Sequence, residues 1–202
     1  MRFRQEVVSN LKDKLSIPTE PMPKPLSTHD PNQLLEAERD IRVRLGDRSL
    51  DFDSLLAISN IYRAASAVRN RMEREVLGPV GLTWGGFTIL FVLWVWGDRE
   101  TAQLAEDASL AKGTLSGMLA TLEKAGHVTR HRHGSDGRRV VVHLEDAGRD
   151  LIEDVFPVFN GHESMFTERL QDDERLELAR LLRIVTATAD DRRLATGDSD
   201  HG

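Results

Sequence analysis

Residues 100–139 read ETAQLAEDASLAKGTLSGMLATLEKAGHVTRHRHGSDGRR, and the fold turns on this stretch. Thr101 to Asp107 predicts a short helix around Leu104. A small turn at Ala108-Ser109 follows. A second helix then runs to Ala125, with Leu115, Leu119 and Leu122 on its inner face and Gly126 as its stop. From His127 the apolar period changes to two. Val128, Val140, Val142 and Leu144 predict strands flanking the polar loop His133-Gly134-Ser135-Asp136-Gly137, which carries the composition of a hairpin turn.

Working outward, Thr83 is placed to cap a helix through Phe87, Leu90, Phe91 and Trp94 that Gly97 closes. Before it, Asp51 or Asp53 can cap a long helix carrying Leu55, Ile58, Tyr62, Ala65 and Met72 to Gly78-Pro79. After the hairpin, helices are expected from Ala147 to about Leu170 and from Asp173 to about Asp190. The last carries Leu178, Leu181, Leu182 and Val185 at helical spacing. Three helices followed by a hairpin form a winged helix-turn-helix: a mainly α fold with a small β-hairpin wing, flanked by long helices. The flanking apolar stripes exceed what so small a module can cover, so burial against a second copy, a homodimer, is expected.

At the N-terminus Phe3, Val7, Leu11 and Leu15 recur every four residues, as in an amphipathic helix. Five of the seven prolines fall between Pro18 and Pro31, which predicts an extended arm. Asp30-Pro31 signals another short helix ending near Gly46. The expected organisation is an extension over 1–50, a winged-helix and dimerisation domain over 51–191, and a disordered polar tail over 192–202. Within the second, the winged core spans about 83–145, and the dimerisation helices about 53–77 and 147–190.

The chain has 202 residues, no cysteine and a net charge of −6. The missing cysteine excludes disulfides, thiolate metal sites and cysteine nucleophiles. The most apolar run, Phe87 to Trp96, has about half the ~20 residues of a membrane span, and the first residues lack a signal peptide's apolar core. A cytoplasmic protein with no membrane partner is expected. The acidic excess lies in stretches such as 145–154 and 171–177. Residues 126–139 hold Arg130, Arg132, Arg138, Arg139, His127, His131 and His133 against one acid, Asp136. Salt screens charges beyond about 8–10 Å, so this local basic stripe suits duplex DNA whatever the total.

The outward positions of the second helix are Lys112, Gly113, Thr114, Ser116 and Gly117. Lysine and hydroxyls reach phosphates and base edges, and glycines permit close approach of the duplex. Arg132, His133, Arg138 and Arg139 at the hairpin tip suit phosphate contact or insertion into the minor groove. Asp136, two residues before Arg138, can brace an arginine by ion pairing.

These segments resemble the MarR family of bacterial winged-helix regulators over roughly Leu55 to Asp190. DGRRVVVHLEDAG (136–148) is similar to the family's wing signature, LAEDASLAKGTLSGMLATLEKAGHV (104–128) to its helix-turn-helix, and GLTWGGFTIL (81–90) to the entry of its second core helix. The resemblance implies a homodimer on a pseudo-palindromic operator, usually repressing and often released by a small aromatic acid or phenol. It makes Arg138 the wing arginine, Asp136 its partner, and Lys112, Thr114 and Ser116 groove-facing. It also implies an inducer pocket in which Arg130 meets an aromatic carboxylate, with Tyr62, Trp84 and Phe87 as walls. Such a ligand would touch dimerisation helices and reading head together and alter the spacing of the recognition helices. The same aromatics can equally be core, and Arg130 can equally bind phosphate. Two positions depart from the family pattern. Ala111 stands where a capping residue is usual, leaving Ser109 as a candidate cap, and Gly117 stands where many members have arginine.

Other uses of these residues are open. His127, His131, His133 and His143 invite a metal-responsive reading, although no carboxylate or cysteine is clearly placed beside them, and no resident metal or cofactor is expected. A winged helix used for protein contact would need apolar anchors on the outer helix face. No phosphate loop, nucleophile motif or HExxH pattern suggests an enzyme.

Overall fold

The computed structural model describes residues 33–46, 48–133 and 139–191, with only the main chain of His133. The expected N-terminal helix, proline-rich arm, hairpin tip and tail lie outside them. The chain divides within a helix into two units, ending at Phe159 and starting at Asn160.

In the first unit, α1 spans Glu36–Leu45. It starts after the expected Asp30-Pro31 because Glu38 supplies the cap from inside. Its carboxylate accepts the Leu35 N–H at 2.8 Å, and also hydrogen bonds from Asn60 (2.8 Å) and Arg63 (3.0 Å) on the next helix. That next helix, α2, spans Phe52–Met72 and starts where Asp51 accepts the Ser54 N–H at 3.0 Å. It continues through a wide π-type turn, Glu73–Leu77, and a tight one, Gly78–Val80. Met72, Val76 and Leu77 are buried, whereas Ile58 and Tyr62 are exposed.

Helix α3, Trp84–Trp96, is capped by Thr83, whose hydroxyl accepts the Gly86 N–H at 3.2 Å, and ends at Gly97 with φ 76°. Next come β1 (Arg99–Glu100), α4 (Thr101–Asp107), α5 (Lys112–Lys124), β2 (Val128–His133), β3 (Arg139–Leu144) and α6 (Asp146–Phe166). The sheet is antiparallel in the order β1-β3-β2. The two-residue β1 is an addition to the expected hairpin. Phe87, Ile89, Leu90 and Leu93 of α3, Leu104 of α4, Leu115, Leu119 and Leu122 of α5, and Val128, Val142 and Leu144 of the sheet are all buried. Ile152, Val155 and Phe159 complete this core from α6. An aromatic seam joins α3 to α6: Phe87 stacks on Phe159 at 4.1 Å, and Phe91 and Trp94 lie 5.3 and 5.5 Å from Phe156.

The second unit holds the end of α6 and α7, Asp172–Asp190. Its Leu178, Leu181, Leu182 and Val185 are exposed. Among the described residues no single helix is long and apolar enough to cross a membrane.

Candidate nucleic-acid interface

The outer face of α5 follows from its inner one. Burying Leu115, Leu119 and Leu122 turns Lys112, Gly113, Thr114, Ser116 and Gly117 outward, and all five are exposed. A β-carbon built at Gly113 or Gly117 would meet nothing within 4 Å, so the fold itself does not require glycine at either position. At Gly85 of α3 a β-carbon would lie 2.5 Å from the Met118 sulfur, the far end of a flexible side chain that can shift to make room. Ala111 precedes α5 without a side-chain cap. Ser109 does not substitute for it. Its φ of 52° places it in the turn, with its N–H donating to Glu106.

In the wing, register places Val128, Arg130 and Arg132 opposite Leu144, Val142 and Val140 on one face. Thr129, His131 and His133 pair with His143, Val141 and Arg139 on the other. Arg132 is exposed. Arg139 is exposed too and donates to Glu100 of β1 at 3.2 Å, a surface pairing of the weak kind. The expected Asp136–Arg138 brace falls outside the described residues. His143 pairs with Asp98 at 2.8 Å, and His131 with the Thr129 hydroxyl at 3.0 Å. Among the described residues no three His, Cys, Asp or Glu side chains converge as metal ligands.

Arg130 is placed differently from expectation. Its guanidinium donates to Glu123 of α5, and this pairing raises its pKa and lowers that of Glu123. It lines a half-open cleft of about 370 Å³ with Lys112, Ser116, Leu115, Leu119 and Val140. The three aromatic residues expected beside it lie elsewhere. Tyr62 stands in solvent on α2, Phe87 is buried against Phe159, and Trp84 lies 5.8 Å from Phe159 with Arg69 over its ring. Among the described residues, Tyr62, Trp84 and Phe87 do not line the cleft that Arg130 lines. Period-two alternation turns Arg130 toward α5, while the aromatics complete other contacts. Glu123 was missed at the sequence level. Its signal was weak, a glutamate seven residues before an arginine across a helix end.

Residues 82–140 match the MarR family. YwaE of Bacillus subtilis (strain 168), an uncharacterized HTH-type transcriptional regulator, is 35% identical over 161 residues, 78% of this chain and 94% of YwaE. The chain belongs to the MarR family. Solved structures agree with this MarR fold. NadR in complex with 4-hydroxyphenylacetate is 25% identical, with TM-score 0.58, over 66% of this chain and 97% of NadR. BpsR of Bordetella bronchiseptica, whose DNA binding is regulated by 6-hydroxynicotinic acid, shares the fold at 21% identity and TM-score 0.61, over 65% and 98%. The chain is thus a MarR-family transcriptional regulator, with the helices and small antiparallel sheet of the winged-helix fold.

Proposed function

We propose that this regulator is a sequence-specific repressor that binds a pseudo-palindromic operator as a homodimer and leaves it when a small aromatic carboxylate or phenol binds. The observation that carries DNA binding is the exposed row Lys112, Gly113, Thr114, Ser116 and Gly117 on the outer face of α5, beside the basic wing residues Arg132 and Arg139. Its chemistry is polar and small, as a major-groove reader needs and an apolar protein-docking face does not. In this reading Arg138, Arg139 and His133 meet phosphate or minor groove, with Asp136 bracing Arg138. The organisation proposed above, a winged core over 83–145 between dimerisation helices, gives the exposed Leu178, Leu181, Leu182 and Val185 a partner in the second copy.

The ligand part rests on the Arg130 cleft. Leu115, Leu119 and Val140 offer an apolar floor, and Arg130 and Lys112 offer charge to an anionic end. The aromatic ligands of NadR and BpsR lend the class weight by relationship only.

Binding to random and selected duplexes across a salt series tests the DNA assignment. Arg138→Ala should weaken all sequences alike and reduce the log–log salt slope by about 0.9. Lys112 and Thr114 substitutions should instead change preference among operators. Salt-independent binding would exclude the proposal. The pair Leu181→Glu and Leu182→Glu should shift the mass in solution from dimer to monomer, and an unchanged dimer would remove α7 from the interface.

A further inference from the structure

Arg139 opens β3 and is assigned above to phosphate or minor groove, yet its guanidinium donates to the Glu100 carboxylate at 3.2 Å. Glu100 reaches it from outside the hairpin, and the fold holds it there. β1 pairs with β3 through Glu100 and Val141, and alternate residues of a strand share a face, so Glu100, Val141 and Arg139 stand on one side of the sheet. Arg99 is turned the other way, opposite the buried Val142, and fixes the short strand. It donates to Asp107 at 3.1 Å and to the carbonyls of Trp96 and Asp98 at 2.7 and 3.0 Å. Glu100 also occupies the cap position of α4, but its side chain makes no capping bond and goes to the wing instead.

We propose that Glu100 is a built-in competitor for the DNA backbone: its carboxylate holds the Arg139 guanidinium in the free protein, and a phosphate must take that guanidinium from it. This deepens the reading of the wing as a DNA contact and rests on it. Glu100 is a positioning residue here, acting on DNA through Arg139. The pair is neutral as a unit. Moving Arg139 from carboxylate to phosphate leaves an unpaired carboxylate beside the duplex and gains no net neutralisation. Phosphate neutralisation supplies the sequence-independent part of affinity, so Glu100 lowers that part while the base contacts of α5 are untouched. Both side chains are exposed, and a surface pair of this kind is weak enough to be exchanged.

The experiment needs no operator. Binding of a random-sequence duplex to the full-length protein is followed by fluorescence anisotropy over about 50–200 mM salt. Wild type, Glu100→Gln, Arg139→Gln and the double variant are compared. Glu100→Gln keeps the side-chain size and removes no cap, so it should fold as wild type. We expect it to bind about two- to fivefold tighter at the low-salt end and to steepen the log–log salt slope by about 0.9, the value of one phosphate. In the Arg139→Gln background the same substitution should leave the slope unchanged, because no cation is freed.

An equal steepening in both backgrounds would mean that Glu100 acts through its general field. An unchanged slope in Glu100→Gln alone would mean that the carboxylate does not withhold Arg139. Either result overturns the proposal. Arg138→Ala separates this failure from that of the wing reading. If Arg138→Ala still weakens binding, the wing touches DNA and only the role of Glu100 is lost. If Arg138→Ala and Arg139→Gln both bind as wild type does, the wing reading fails and this inference falls with it.

Discussion

Gly148 on the first turn of α6 lies against the main-chain carbonyl of His127, so close that a β-carbon at Gly148 would come within 2.2 Å of that oxygen. The same oxygen accepts the Glu145 N–H at 3.0 Å, which ties the segment after α5 to the start of α6. Neither atom can yield without moving backbone. Gly148→Ala should therefore cost about 2–3 kcal/mol and lower Tm by roughly 5–10 °C in a chain of this size. A Tm within a degree of wild type would mean that the two segments separate freely.

What the sequence made legible was local. Thr83, Gly97 and Gly126 mark helix ends through their own hydroxyl or positive φ, and each does so in the structure. Leu115, Leu119 and Leu122 state the inner face of α5 by spacing alone. What stayed hidden was tertiary. Arg99–Glu100 becomes a strand only by pairing with Val141 and Val142, and two residues carry no period. Leu35 carries no cap signal because Glu38 reaches back to its N–H from within α1. The pairing of Arg130 with Glu123 stayed hidden for the same reason. Residues 62, 84 and 130 had to be related across three elements, which no pattern in one segment encodes.

Gly113 and Gly117 can be tested against the helix they weaken. Alanine at either position meets nothing within 4 Å, so it should leave stability unchanged or raise it by up to about 1 kcal/mol. If the duplex lies against this face, the added methyl groups should nonetheless lower operator affinity, by about tenfold for the pair, ~1.4 kcal/mol. Wild-type affinity in the double alanine variant would place the DNA elsewhere.

Glu123 competes internally for the guanidinium that the ligand reading assigns to an aromatic carboxylate. Both side chains are partly exposed, so the pair contributes only about 0–1 kcal/mol to stability and Glu123→Gln should fold normally. Neutralising it should raise affinity for an aromatic carboxylate about five- to tenfold, the value of one added charge-assisted hydrogen bond. Isothermal titration on the DNA-free variant measures this. Unchanged or weaker binding would show that the carboxylate does not meet Arg130.

His127 predicts how stability depends on pH. Its Nδ1 is buried without a hydrogen-bond partner among the described residues, and desolvation pushes the imidazole below the ordinary histidine value near 6.5. The folded state thus favours the neutral ring. Above pH ~6.5 both states are neutral at this residue and nothing is lost. As pH falls below that value the unfolded chain takes up the proton first, so stability declines until the folded-state pKa is passed. Carboxylates act later. Glu38, held low by the Leu35 N–H, and Glu123, held low by Arg130, lose their contributions only below pH ~4.5. Melting curves from pH 7.5 to 5 should show Tm falling below pH ~6.5 in wild type. In His127→Phe, which keeps a ring but cannot titrate, that fall should be largely absent. Equal slopes in the two proteins would assign the acid sensitivity to another group and remove His127 from the account.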